Sequence, residues 1–211
     1  AYPTMAAVLD VLRADGGLQL HASGCPPRPM RGHTVAQMPA AEVVEHDERF
    51  TQFARLALRP RGVLFRAMRP DEFRRDVSGE LELSGGCLRP KAPGAHVGPQ
   101  EAIERGSTVA CSPFVHATVD VMVATFFATS RGGSVLVALD ANELQSRLGE
   151  RFLDLSVQAG RRAAKLEAYS TADNYAARAL EVLLHAETIA GAHVLGYFDC
   201  SDLKLEGKAR S

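Results

Sequence analysis

The sequence of 211 residues contains no apolar run approaching the roughly 18 residues that span a bilayer, and no segment of it reads as a signal peptide. Neither sign of charge is in excess, since 24 Lys and Arg against 25 Asp and Glu leave a net charge of −1. That balance removes any global attraction to nucleic acid or anionic lipid and leaves only local patches. Cysteine is sparse and scattered, at Cys25, Cys87, Cys111 and Cys200, with no Cys-x-x-Cys pair and no histidine cluster at zinc-ligand spacing. The expectation is of isolated thiols, a cytosolic-type site of action and no metal. Internal repeats, coiled-coil heptads and a P-loop are also lacking. What is there is an ordinary globular composition, 46% apolar and 23% charged. It suffices for one substantial domain with a real core, or one domain with an N-terminal extension.

The chain opens helical. Thr4 to Ala14 spaces Met5, Val8, Leu9, Val11 and Leu12 along one helix face, with Thr4 as the N-cap and Gly16-Gly17 as the stop. Gly24 to Pro39 has no apolar period and reads as a connector. A second helix is expected from about Asp47 to Leu58, stopped by Pro60. Gly62 to Met68 reads as a strand with one arginine inside an apolar run, and Arg69 to Phe73 as a short helix opened by Pro70. Ser84 to Gly106 reads as a long functional loop. A strand-like segment from Thr108 to Thr118 then leads into a helix over about Val119 to Thr129. A strand at Ser134 to Leu139, a short helix capped by Asp140 and a brief strand at Phe152 to Leu155 follow. Gln158 to Tyr175 is polar and basic. Ala179 to Leu184 and Ala192 to Phe198 read as neighbouring buried strands, and Leu203 to Ser211 as a charged tail. Helices in front and strands behind argue an α+β fold with a mixed or antiparallel core, residues 61–211, on which a helical extension, residues 1–60, packs.

Three signals stand in chain order. Arg66 lies within an apolar strand, His116-Ala117-Thr118 close a strand before a helix, and Glu181 opens a later strand, Val182-Leu183-Leu184. Each admits a bland reading. Arg66 can snorkel from a sheet edge, Thr118 can cap the helix, His116 can be a satisfied turn residue and Glu181 can decorate an edge.

Their order resembles the ADP-ribosyltransferase superfamily, in its arginine, Ser-Thr-Ser, glutamate branch. Phe65-Arg66-Ala67 matches the first motif, aromatic-Arg-small. Phe114-Val115-His116-Ala117-Thr118 ahead of Val121 to Phe127 matches the shape of the second, with His116 and Ala117 in place of the first serine and the threonine. Glu181-Val182-Leu183-Leu184 matches the third. The resemblance covers roughly Val63 to Cys200 and implies a two-sheet transferase core. It implies a mono-ADP-ribosyltransferase of the bacterial toxin or effector type, secreted or translocated, monomeric, using NAD+ as co-substrate and acting on a protein in the host cytosol. Membrane and nucleic acid are not expected partners.

On that resemblance Glu181, Thr118 and His116 are the catalytic residues, and Arg66, Ala67, Phe65, Phe114 and Phe127 contact NAD+. The guanidinium of Arg66 offers a fork of donors suited to the diphosphate. The carboxylate of Glu181 would bond the ribose 2′-hydroxyl and stabilise the cation that develops when nicotinamide leaves. Thr118 or His116 would orient it. Phe126 and Phe127 can reach the nicotinamide face or belong to the core. Family members that modify arginine carry an acidic residue two positions before the glutamate; Ala179 stands there, so a hydroxyl acceptor is expected. A catalytically inactive binding module on the same scaffold is the alternative, favoured by His116 and Ala117, and a transferase acting on nucleic acid is a third.

Overall fold

The computed structural model describes residues 48–58, 62–105, 112–130 and 135–200. The expected helix from Thr4 to Ala14, the connector after it and the charged tail lie outside these residues. The described chain begins with helix α1, Glu48–Ala54, continued by a 3-10 turn over Arg55–Leu58. Strands β1, Val63–Ala67, β2, Phe73–Arg75, β3, Leu81–Leu83, and β4, Cys87–Leu88, follow. Next come helix α2, Pro99–Arg105, strand β5, Val115–Thr118, and helix α3, Val121–Ser130. Strand β6, Val135–Asp140, helix α4, Ala141–Leu148, and strand β7, Phe152–Asp154, lead to helices α5, Gln158–Ala163, and α6, Thr171–Ala179. The described part closes with β8, Glu181–Leu184, β9, Ile189–Ala190, and β10, Val194–Asp199.

The apolar runs assemble as a six-stranded sheet in the order β10-β6-β1-β5-β8-β7, with every neighbouring pair antiparallel. Two two-stranded antiparallel ladders, β2-β3 and β4-β9, stand beside it. The fold is thus α+β with antiparallel sheets. Alternation along the strands divides the apolar side chains between the two faces. Leu64, Val115, Ala117, Val137, Leu139, Val182 and Leu184 pack on one face with Leu144 and Leu148 of α4 and with the small ladders. On the other face, Phe65, Leu136 and Ala138 pack against α1 and against Val121, Ala124 and Ala128 of α3. Phe50 and Phe53 of α1 make ring contacts with Phe198 and Phe65 at centroid separations of 5.1 and 5.7 Å. Leu183, Phe114 and Leu155 meet Ala102 and Ile103 of α2 and Ala172 and Ala176 of α6.

Several expectations are corrected. The segment after β1 is a turn and a strand rather than a helix, because Glu72 folds back to accept Arg69 N at 2.8 Å and turns into the buried ion pair described below. The long loop from Ser84 contains β4 and α2; its Gly and Pro content concealed a helix that places Pro99 at its first position, where a missing N–H costs nothing. The polar stretch from Gln158, to which the sequence reading assigns no element, forms two helices. The two closing strands are not neighbours: β6, β1 and β5 separate β8 from β10, and the intervening β9 leaves the sheet to pair with β4.

Candidate active site

The three central strands place the ionisable residues. Thr118 is the register partner of Phe65 on β1 and of Glu181 on β8, so the three lie in one row across the sheet. His116, two residues before Thr118, shares its face, and reaches Glu181 as the diagonal neighbour on the adjacent strand. Over this row, between α3 on one side and α2 and α6 on the other, lies a cleft of about 80 Å³. Arg66, His116, Thr118 and Glu181 line it, with Phe127 and Tyr175 from the covering helices. Phe65, Ala67, Ile103, Ala117, Ala124 and Ala179 complete its lining.

Glu181 is buried, at 6% exposure. Its Oε1 lies 2.6 Å from His116 Nδ1, and its Oε2 is buried with no hydrogen-bond partner. The other ring nitrogen, His116 Nε2, lies 3.0 Å from Ser112 Oγ. Serine, histidine and carboxylate therefore stand in the order of an acyl-transfer triad. The polarity is reversed, however. The carboxylate lines the cleft, whereas Ser112 is buried, is absent from the cleft lining and sits on the Phe114 backbone, accepting from N at 3.3 Å with O 3.4 Å away. Ser112 is thus no nucleophile for a cleft-bound substrate.

The turn that delivers Glu181 is held on both sides. Helix α6 is capped at its start by Ser170, whose side chain accepts from Asp173 N, and at its end by Leu180 with φ +47°. A left-handed residue after a helix is usually glycine, and a leucine there stores of order 1–3 kcal/mol of strain that its surroundings must offset. Thr118 Oγ1 donates to Ala179 O at 2.7 Å, and Val119 N donates to Leu180 O at 3.2 Å. Thr118 therefore fixes the backbone ahead of Glu181 without bonding its carboxylate. Nor is Thr118 the cap of α3; Asp120 is, with Oδ1 accepting from Met122 N at 2.7 Å and Val123 N at 3.2 Å.

Arg66 departs from both readings of the sequence. Its head is not in water, at 6% exposure, and its fork is not free. Nη2 donates to both oxygens of Glu72, at 2.8 and 3.1 Å, and Nη1 donates to His116 O at 2.6 Å. The pairing of β1 with β5 is a single residue pair, Phe65 with Thr118, and the guanidinium bridges the strands where the ladder stops. Arg66 Nε is buried without a partner. Arg69 shares Glu72, 3.0 Å from Nη1, and bonds Asp71, a contact that holds the Asp71 carboxyl below its usual value. Two cations thus flank one buried carboxylate.

Phe114, expected against NAD+, is in the core and faces His185 with ring centroids 5.1 Å apart. Phe127 lines the cleft and Phe126 does not. Tyr175 is in the cleft wall, while Tyr169 is 84% exposed. Ser112 and Glu72 were missed by reasoning from sequence: Ser112 is four residues from His116, and nothing in the sequence marks Glu72 as buried. A larger groove of about 630 Å³ runs beside β10, but its Arg75 and Asp199 are already paired with each other.

Among the described residues no group of His, Cys, Asp and Glu could hold a metal ion, and no helix is long and apolar enough to cross a membrane. No family model matches the chain, no curated protein matches it, and no solved structure matches it.

Proposed function

We propose that the chain is a mono-ADP-ribosyltransferase that cleaves NAD+ and transfers ADP-ribose to a protein hydroxyl. The observation that carries this reading is the Glu181 carboxylate, lining the cleft with Oε1 held by His116 and Oε2 buried and unpartnered. A buried acceptor left without a donor costs about 1–3 kcal/mol, and more when charged. A ribose hydroxyl would supply that donor once the wall that closes Oε2 off from the cleft gives way. Breaking the bond between ribose C1′ and the nicotinamide nitrogen sends the electron pair to the ring, which leaves neutral, and builds positive charge on the sugar. The fixed carboxylate stabilises that charge as it develops. The acceptor oxygen then bonds C1′ and releases its proton to water. Phe127 and Tyr175 offer flat walls to the nicotinamide.

On this reading Arg66 acts chiefly by holding His116 O and by carrying the cleft's positive flank. Ala179, with neither charge nor acceptor in its side chain, leaves an incoming guanidinium nothing to pair with, so the acceptor is a hydroxyl rather than arginine. The two-sheet transferase core, the toxin or effector role, action on a host protein in the cytosol and the monomeric state are finer parts of the same proposal. One observation favours a second reading, a non-catalytic binding module: both terminal nitrogens of Arg66 are engaged within the protein.

The test is incubation with labelled NAD+ and a host-cell lysate, followed by mass spectrometry of the linkage. ADP-ribose on serine or threonine, with a small guanidino compound left unmodified, is the expected result. NAD+ binding with neither transfer nor nicotinamide release would make the chain a binding module.

A further inference from the structure

The row of polar groups does not end at His116. Ser112 Oγ lies 3.0 Å from His116 Nε2, on the side of the ring away from Glu181, and is itself anchored by the Phe114 backbone. Ser112 is 4% exposed, so no water substitutes readily for its hydroxyl. We propose that Ser112 is a positioning residue for Glu181, acting through His116: its hydroxyl fixes the imidazole with the Nδ1 proton directed at Glu181 Oε1. The proposal rests on the reading of Glu181 as the reacting carboxylate.

The chemistry of a hydroxyl suits this place. With the ring neutral, Nδ1–H donates to Oε1 and Nε2 accepts from the serine O–H. With the ring protonated, Nε2–H donates to Oγ, and the serine O–H turns to Phe114 O. Both nitrogens are satisfied in either state, so the ring and the carboxylate keep their positions. Without the hydroxyl, the bond to Oε1 still keeps the proton on Nδ1, but Nε2 becomes a buried acceptor with no donor and the ring loses the contact that fixes its orientation. The ring can then tilt, and the Nδ1–H bond that positions the carboxylate is loosened. The role is one of orientation; Ser112 touches no substrate.

The test compares wild type, Ser112→Ala and the hydroxyl-retaining Ser112→Thr. Two readouts are used: 15N NMR of the His116 ring nitrogens with the ring neutral, and the kinetics of nicotinamide release from NAD+. Wild type is expected to show protonated Nδ1 and accepting Nε2. Ser112→Ala should move the Nε2 resonance to that of an acceptor with no donor, with Nδ1 still protonated, and lower kcat about tenfold with KM nearly unchanged, the kinetic equivalent of one lost hydrogen bond. Ser112→Thr should restore the wild-type pattern in both. A His116 spectrum unchanged in Ser112→Ala overturns the proposal whatever the rates. If that variant fails to fold, the wild-type spectrum decides alone, and an Nε2–H tautomer there overturns it equally. Absence of NAD+ turnover in wild type would overturn the transferase reading, while the ring spectra still show whether Ser112 holds the ring through Nε2.

Discussion

His116 Nδ1 sits 2.6 Å from Glu181 Oε1, across the boundary between β5 and β8. The pair is set by the sheet register rather than by a loop, so its geometry is as rigid as the ladder that carries it. Behind it, the guanidinium of Arg66 holds the carbonyl of the same histidine at 2.6 Å. Ring and backbone of His116 are thus fixed from different directions.

The buried pair of Arg66 and Glu72 bears most on stability. Glu72 is 5% exposed and accepts from Arg66 Nη2 and from Arg69 N. Glu72→Ala leaves the Arg66 guanidinium buried without its carboxylate. The expected loss is about 3–5 kcal/mol, read as a lower urea midpoint. A midpoint within experimental error of wild type would mean that the cleft already hydrates Arg66.

Gly160 is required for space. A Cβ built there would stand 1.6 Å from Asp154 O, on the strand next to β8. Backbone cannot yield as a flexible side chain does. Gly160→Ala should therefore destabilise by at least about 1–3 kcal/mol, the range for an overpacked site. A thermal melt unchanged from wild type would contradict the close approach of α5 to β7.

Cys200 gives a prediction in pH. Burial pushes its thiol from the ordinary 9.0 up to about 12, with the Asp199 carboxylate adding to the shift. A raised pKa means that the unfolded chain loses this proton first. The contribution is fully present below pH 9.0, declines as pH rises, and is lost through about 12. Cys200→Ala should flatten that decline relative to wild type in urea titrations over the same range. Parallel curves would show that the thiol is not buried as described. Thiol reagents at pH 8 should likewise leave native Cys200 unmodified and label it on unfolding.

The sheet was largely legible in the sequence, because short β-branched and apolar runs such as Leu136 to Leu139 and Val182 to Leu184 are buried on both faces and carry a strong local signal. The α+β class follows from their order. The strand order was not legible: β8 and β10 look like neighbours along the chain, and only β9's pairing with β4 sends the chain elsewhere. Arg66, His116, Thr118 and Glu181 could be singled out by residue type, and the structure brings them to one cleft. Their bonds could not. Whether Arg66 meets a ligand or Glu72 is decided by a turn six residues on, and whether Thr118 caps α3 or ties Ala179 depends on Asp120 taking the cap. Leu180 gave no local sign of a left-handed backbone, since that conformation is imposed by the bonds around it.

The most direct test of the central claim is nicotinamide release from NAD+ by wild type and by Glu181→Gln, which preserves shape while removing the charge. Wild type should release nicotinamide. The variant should do so about 100- to 1000-fold more slowly, the usual cost of one preorganised electrostatic stabiliser, with NAD+ affinity little changed. Release by Glu181→Gln at the wild-type rate, or none by the wild-type protein, would contradict the account.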